Sequence, residues 1–298
     1  MNGPAAISSR GRSARSAHAI PLGLRSWIAL GLITIGGLAA FFWPFVADPG
    51  SSAVAHSQDA PWIFAALIPL LLLVVWAQLV EGGMDAKAVA MLGVLAAVVC
   101  ILRPLGAGVA GIEPIWVIIV LGGRALGPGF GFTLGSVSLL ASAFLTGGVG
   151  PWLPFQMLAA GWVGLGAGLL PVLRGRRELI LLASYGALAA MAYGLLLNLW
   201  FWPFVAGVNA LGVDSGIAYV PGDAAGDNLA RWITFSAATS WGFDIPRAII
   251  TAVLIAAIGT PVLAALRRAA HRANFQPTVE FSPAGTTPPA AVSDRAPQ

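Results

Sequence analysis

An all-α membrane protein with several spanning helices is the fold class that this sequence predicts. Of its 298 residues, 58% are hydrophobic and 9% are charged, and the mean hydropathy is +0.84. Soluble domains carry about 25% charged residues, so this chain has too few charges to face water on all sides. The hydrophobic residues also form long blocks with almost no ionisable residue inside them, which is the pattern of helices that cross a bilayer.

Eight blocks of the chain are apolar enough for spanning helices, each of which needs about 20 residues. They cover residues 27–46, 62–80, 86–105, 112–126, 129–145, 152–173, 179–204 and 244–266. The fourth block is short and is bounded by Glu113 and Arg124, so a re-entrant hairpin with the fifth block is the alternative. Residues 205–231 are predicted to form a loop before the last helix.

The placement of the basic residues predicts an orientation. If the N-terminus is cytoplasmic, only Arg103 and Arg231 fall on the outer side. The basic residues that then fall inside are Arg10, Arg12, Arg15, Arg25, Lys87, Arg124, Arg174, Arg176, Arg177, Arg267, Arg268 and Arg272. This asymmetry follows the positive-inside rule, and it predicts a plasma-membrane protein with both termini in the cytoplasm.

Four regions follow from the spans. They are a basic cytoplasmic tail at 1–26, a transmembrane hairpin at 27–80, a six-helix core at 86–266 and a cytoplasmic tail at 273–298, predicted to be disordered because it lacks a periodic apolar pattern. The first helix could alternatively be a signal peptide cleaved near Ala53-Val54-Ala55. Its apolar block is longer than the usual signal core, which favours a retained helix.

The sequence lacks the residues that several classes of function require. The sequence has no P-loop for nucleotide hydrolysis and no H-E-x-x-H or paired cysteine for zinc. His18, His56 and His271 all lie in tails or a loop, so no histidine is available for catalysis inside the membrane. The arginines sit at helix ends rather than on one basic face, which disfavours nucleic-acid binding. No carboxylate lies in the middle of a predicted span, which disfavours a proton-coupled carrier.

Small residues recur at helical spacing in three places, where they allow backbones to approach closely. One stripe runs down the third helix and is formed by Ala86, Ala90, Gly93 and Ala97. The glycines form two further seams, with Gly127, Gly131 and Gly135 in one and Gly164 and Gly168 in the other. Internal packing is the prediction for the glycine seams. The alanine stripe could equally dock a partner, because it opens at the cytoplasmic end.

Polar and aromatic residues converge at the predicted outer side, next to a glycine- and proline-rich turn at 147–154. The candidate substrate-binding residues are Trp152, Gln156, Asn198, Trp241, Asp244 and Arg247. Trp152 could equally be an interfacial belt residue, Gln156 an interhelical hydrogen-bonding group, and Asp244 the N-cap of the last helix. Arg247 lies one turn into an apolar block, so it must snorkel, pair with Asp244 or face a wet cavity.

In the order of its motifs, the region 86–266 resembles the substrate-binding S-component of energy-coupling factor (ECF) vitamin transporters. The matching features are Ala86-x-x-x-Ala90, Pro114 at the start of a short span, Gly127-Pro128-Gly129-Phe130-Gly131 at an inner turn, Gly-Pro-Trp-x-Pro-Phe-Gln at 150–156 and the glycine-rich helix 161–171. The first two spans depart from the six-helix pattern of the family and look like an added hairpin.

The resemblance implies a binding subunit, without enzymatic activity or a cofactor, that captures a vitamin or related micronutrient at the outer face. Its partners would be a transmembrane T-component and two ABC ATPases, which accounts for the missing P-loop. Members of the family dock through small residues of the first core helix, which matches the stripe that begins at Ala86. The predicted pocket suits a ring-bearing, partly polar or anionic compound, with cobalamin or a precursor as the candidate.

Three other functions stay open on the residues alone. An ion-driven secondary carrier is disfavoured by the missing mid-membrane carboxylates and by the lack of an inverted repeat. A membrane enzyme for lipid-linked substrates could use Asp244 and Arg247, but one carboxylate and no histidine are few groups for catalysis. A structural subunit does not account for polar residues clustered on one side.

Overall fold

The computed structural model describes residues 22–46, 86–106, 111–205 and 215–274, and all regular secondary structure in these residues is helical. The α-helices are α1 (Leu24–Phe42), α2 (Ala86–Leu102), α3 (Ile115–Leu126), α4 (Pro128–Thr146), α5 (Leu153–Leu169), α6 (Arg176–Val205), α7 (Ala225–Thr239) and α8 (Trp241–Asn274). Short 3₁₀ turns cover Trp43–Phe45, Arg103–Gly106 and Ser215–Ile217. The predicted second span, 62–80, and both predicted tails lie outside these described residues, apart from a few positions at their edges.

Within the part of the chain that the structure describes, five helices are long and apolar enough to cross a membrane, namely α1, α2, α4, α6 and α8. The helices α3 and α5 are apolar but shorter, with 12 and 17 residues. The prediction of an all-α membrane protein with several spans is confirmed. Among the described residues, each predicted apolar block contains one of these seven helices.

One helix was not predicted, because α7 begins inside the segment 205–231 that was expected to be a loop. This helix has only 15 residues, carries Asp227, Asn228 and Arg231 in its first two turns and buries only Asn228, Phe235 and Ser236, so it forms no apolar block of spanning length. Asn228 exchanges two hydrogen bonds with the backbone of Val220, at 2.8 and 3.2 Å. A hydrogen bond from Arg231 is the main reason that the pKa of the Asp223 carboxyl lies below its ordinary value.

Helix α3 lies at the centre of the bundle. Eleven of its 12 residues are buried, and it packs against α4, α5 and α8. At 1.5 Å per residue it rises about 18 Å, which is less than the apolar thickness of a bilayer. Only Gly127, with φ of +116°, separates it from α4. Protein therefore surrounds this short helix on all sides, and its polar last turn does not face lipid.

The two glycine seams pack against each other. A Cβ on Gly131 would come within 2.5 Å of the carbonyl carbon of Gly164, and a Cβ on Gly164 would collide with the backbone of Gly131. Gly168 faces Pro128 in the same way, at 2.5 Å from its Cα to the added carbon. Contact at this distance gains dispersion energy that no larger side chain would permit. The predicted role of both seams in internal packing is confirmed.

Buried charges lie at the two ends of the bundle. At one end, Glu178 accepts hydrogen bonds from Arg124 at 2.7 Å and from Arg267 at 2.6 and 3.1 Å, which joins α3, α6 and α8. The second nitrogen of Arg124 donates to the carbonyl of Leu170 at 2.9 Å. The opposite end holds Arg247. We refer to these as the Glu178 end and the Arg247 end.

Replacing Gly131 by Ala is expected to destabilise the chain, whereas the same change at Gly36 is not. The added methyl at 131 meets backbone atoms that cannot move aside, and overpacking of this kind costs about 1–3 kcal/mol or more. Nothing lies within 4 Å of a Cβ at Gly36, where Ala raises helix propensity. Thermal unfolding of both variants in detergent measures the difference, and equal midpoints would contradict the close packing of α4 on α5.

Replacing Glu178 by Gln is expected to destabilise the chain more than replacing Arg267 by Gln. The first change leaves the buried guanidinium of Arg124 without its counter-ion, and breaking a buried pair costs about 3–5 kcal/mol. The side chain of Arg267 is 43% exposed, so its loss leaves Glu178 paired with Arg124. The fraction of monodisperse protein after heating, compared between the two variants, is the measurement, and the reverse order would refute this account.

Candidate functional site

A cavity of about 600 Å³ opens at the Arg247 end of the bundle. It is lined by the 3₁₀ turn after α2, by the segment before α3 and by parts of α4, α5 and α6. The end of α7 and the first turns of α8 complete the lining. Its polar and aromatic lining residues are Arg103, Glu113, Thr146, Trp152, Gln156, Tyr193, Asn198, Trp200, Phe201, Thr239, Ser240, Phe243, Asp244 and Arg247. Its size falls within the range of pockets for small organic ligands.

One wall is built on an ion triad, which we define as Glu113, Asp244 and Arg247. Arg247 donates from Nε and Nη2 to the two carboxylate oxygens of Glu113, both at 3.1 Å, and from Nη1 to Oδ1 of Asp244 at 2.5 Å. The second oxygen of Asp244 accepts from the hydroxyl of Ser240 at 2.8 Å. Glu113 also accepts from the indole of Trp116 at 2.9 Å. Every member of the triad therefore has charged and neutral partners, as buried ions require.

Two glycines allow the triad to form. A Cβ on Gly194 would overlap the carboxylate of Asp244, so this carboxylate lies directly on the backbone of α6. Gly111 has a φ of +73°, and a Cβ there would strike the carbonyl of Phe243. The segment that carries Glu113 can therefore lie against the first turn of α8, which brings its carboxylate to Arg247.

A second wall is built around Arg103, in the 3₁₀ turn after α2. Its Nη1 donates to the carbonyl of Leu139 at 3.1 Å and to the hydroxyl of Ser142 at 2.5 Å. Its Nη2 donates to Oε1 of Gln156 at 2.9 Å. All three acceptors are neutral, and no carboxylate in the described part of the chain forms an ion pair with Arg103.

Aromatic rings supply the apolar part of the lining. Trp200 packs on Phe155 with ring centroids 5.4 Å apart, and Tyr193 packs on Trp116 at 4.3 Å and beneath Arg247 at 5.7 Å. The indole N–H of Trp200 is buried and has no acceptor in the described structure. A buried donor without a partner is costly, which makes this group a candidate for contact with a ligand.

Five of the six predicted site residues line this one cavity: Trp152, Gln156, Asn198, Asp244 and Arg247. Trp241 does not line it; as the first residue of α8 it is 37% exposed. The alternative of an N-cap for Asp244 is wrong, because α8 begins three residues earlier and its carboxylate pairs with Arg247 instead. Two roles were predicted for Gln156, an interhelical hydrogen bond and contact with a substrate in a cavity. Its side chain accepts a hydrogen bond from Arg103, and it also lines the cavity.

Arg103, Glu113, Tyr193 and Ser240 line the cavity without having been predicted to do so. Arg103 lies at the end of one predicted apolar block and Glu113 at the start of the next, where a charge is expected to face water. The available signal was that two ionisable residues, ten positions apart, flank one short outer connection. Tyr193 carries no such signal, because a tyrosine inside an apolar helix is common. Among the described residues, no group of three His, Cys, Asp or Glu side chains could hold a metal ion.

The stripe formed by Ala86, Ala90, Gly93 and Ala97 lies on the exposed face of α2. All four residues are exposed, whereas Ala88, Leu92, Ala96 and Val99 on the other face are buried in the bundle. The stripe therefore does not contribute to packing within the described bundle, unlike the two glycine seams.

The comparison with known families gives one match. No curated protein and no solved structure matches this sequence. The family model of the substrate-specific component of ECF transporters matches residues 87–263, more than half of the chain. This range contains the whole lining of the cavity and most of the six-helix region predicted from the motifs. The chain therefore belongs to the family of substrate-specific components of ECF transporters.

Proposed function

We propose that this protein captures a vitamin or related micronutrient in the cavity at the Arg247 end and presents it to an ECF importer. The observation that carries the proposal is the cavity itself, which is enclosed by residues 103–247 of the family region and combines ionic, amide and aromatic groups. Pockets of this kind, mostly apolar with a few convergent polar groups, are typical of small-molecule sites.

The proposal places the Arg247 end at the outer face of the plasma membrane, with both termini in the cytoplasm. The basic residues of the described helix ends support this orientation. Those at the Glu178 end are Arg25, Lys87, Arg124, Arg174, Arg176, Arg177, Arg267 and Arg268. An excess of arginine and lysine at one end is typical of the cytoplasmic side.

The site residues have distinct proposed roles. Gln156 and Asn198 offer amide groups, and Trp152 and Trp200 offer ring faces for stacking. Arg247 and Asp244 form a charged wall whose own hydrogen bonds hold it in place, so its geometry does not depend on the ligand. Trp241, which does not line the cavity, is not included in the proposed site.

Transport requires partners, because ECF substrate-specific components work together with a T-component and ATPase modules. We propose that the exposed stripe on α2 is the docking surface for the T-component, and that ATP is hydrolysed in the partner chains. Small residues permit a second helix to approach closely within the bilayer. The sequence contains no P-loop, which agrees with hydrolysis elsewhere.

A small molecule is expected to remain bound, close to one per chain, when the full chain is purified in detergent. Mass spectrometry after denaturation identifies it. Gln156→Ala should lower its retention by about tenfold or more, because a charged donor on the partly buried Arg103 loses its acceptor and the ligand loses an amide. Thr34→Ala is the control, because this hydroxyl bonds Trp162 away from the cavity.

The absence of a bound compound would count against the proposed function. A wild-type chain that releases no compound, and that shows no thermal shift with a panel of vitamins including cobalamin, would contradict the proposed function. It would favour a secondary carrier or a membrane enzyme instead.

Ala90→Phe is expected to separate the protein from its partners without affecting the cavity. A bulky ring in the middle of the stripe prevents close helix approach, so ATPase subunits recovered with the tagged chain from native membranes should fall at least about fivefold. Ala257→Phe is the matched control, since Ala257 is an exposed alanine on α8. Equal recovery with both variants would exclude α2 as the docking surface.

A further inference from the structure

We propose that the ligand of this cavity is a zwitterionic ring compound, with an anionic group held by Arg103 and a basic group facing Glu113. This inference rests on the proposed function and names the chemical class of its substrate. Arg103 was not among the residues that the sequence indicated, and the inference assigns it as the anion-binding residue.

The hydrogen bonds of Arg103 leave two of its N–H groups without acceptors in the described part of the chain. An arginine has five N–H donors, and three of these reach Leu139, Ser142 and Gln156. The Nε–H and one Nη2–H have no acceptor in the described part of the chain. On Arg247 the same two nitrogens bind both oxygens of Glu113. A carboxylate or phosphate binds arginine best in this bidentate way.

The three neutral acceptors also fix the orientation of Arg103. Its guanidinium is tied to α4 through Leu139 and Ser142 and to α5 through Gln156, so it is partly buried and held in place before a ligand arrives. Among the described residues this cation has no counter-ion, which is an unusual arrangement for an arginine at the end of an apolar helix. An anionic group of the ligand would supply the missing charge.

The ion triad has an excess of negative charge, whereas Arg103 has an excess of positive charge. Two carboxylates, Glu113 and Asp244, share the single cation Arg247, so the triad carries one net negative charge. The side chain of Asp244 is 2% exposed, whereas that of Glu113 is 27% exposed and is therefore the one that a ligand can reach. A protonated amine or another basic nitrogen would neutralise this wall.

The two walls together have no net charge, but neither wall is neutral. A ligand with a single charge would leave one wall uncompensated inside a site of low dielectric, at a large cost in free energy. A zwitterion compensates both walls at once. The lining also contains aromatic rings, which select a ligand whose remaining part is apolar or aromatic. These rings belong to Trp152, Trp200, Phe201 and Phe243.

The test is affinity selection on the purified full chain, with the small-molecule fraction of yeast extract as the probe. Mass spectrometry identifies each compound that the wild type retains, and its ionisable groups follow from its structure. Gln156→Glu is the decisive variant, because it is nearly isosteric and keeps an acceptor for Arg103. The new carboxylate supplies the counter-ion, so retention of the wild-type compound should fall at least about tenfold.

Two further variants separate charge from folding. Arg103→Lys keeps the charge but loses the bidentate edge, so retention should fall while thermal stability stays close to that of the wild type. Thr34→Ala is the control, because this hydroxyl bonds Trp162 away from the cavity and leaves both walls unchanged, and it should retain the compound within about threefold.

Each outcome is informative. A retained compound that carries both an acidic and a basic group, and that Gln156→Glu loses, supports the inference. A retained compound that is neutral or singly charged, or that Gln156→Glu binds as well as the wild type, overturns the zwitterion assignment and leaves the binding function intact. A wild-type chain that retains nothing overturns the proposed function and this inference with it.

Discussion

Arg247 connects three parts of the chain that are distant in sequence and that together form one wall of the cavity. Its guanidinium binds Glu113 before α3 and Asp244 in the first turn of α8, and Asp244 lies on the backbone of α6 at Gly194. Asp244 is buried only because the cation is present, and the cation is buried only because both carboxylates compensate its charge. The position of α8 relative to α3 and α6 at this end therefore depends on this ion triad.

The middle of the bundle is held together by a different interaction. In lipid, apolar side chains gain little from leaving the solvent, so close backbone contact must supply the attraction between helices. Gly131 and Gly164 provide it between α4 and α5, and Gly123 brings α3 to the same place. The charged clusters then fix the two ends. This division leaves the small-residue face of α2 exposed, where a partner can pack without disturbing the site.

Reasoning from sequence found the helices because each spanning helix must be apolar along most of its length. It missed α7, which is short, begins with a stretch that contains Asp227 and Arg231, and packs through a few residues such as Asn228. It found Gln156 and Arg247 because each interrupts an apolar block, where an unsatisfied polar group is costly. It assigned Arg103 to an outer loop, because a charge at the edge of a block looks the same in sequence whether it faces water or a cavity.

The amino-acid sequence by itself determined the fold class, the positions of the apolar helices, the close packing of the glycine seams and the cluster of polar residues at one end. These are properties of single helices, set by hydropathy and residue size. The pairing of Arg247 with Glu113, 134 residues away, and the approach of Arg103 to Gln156 were decided only by the tertiary structure. The sequence position of a charged residue does not identify its ion-pair partner, so which charges form pairs depends on how the helices are arranged in space.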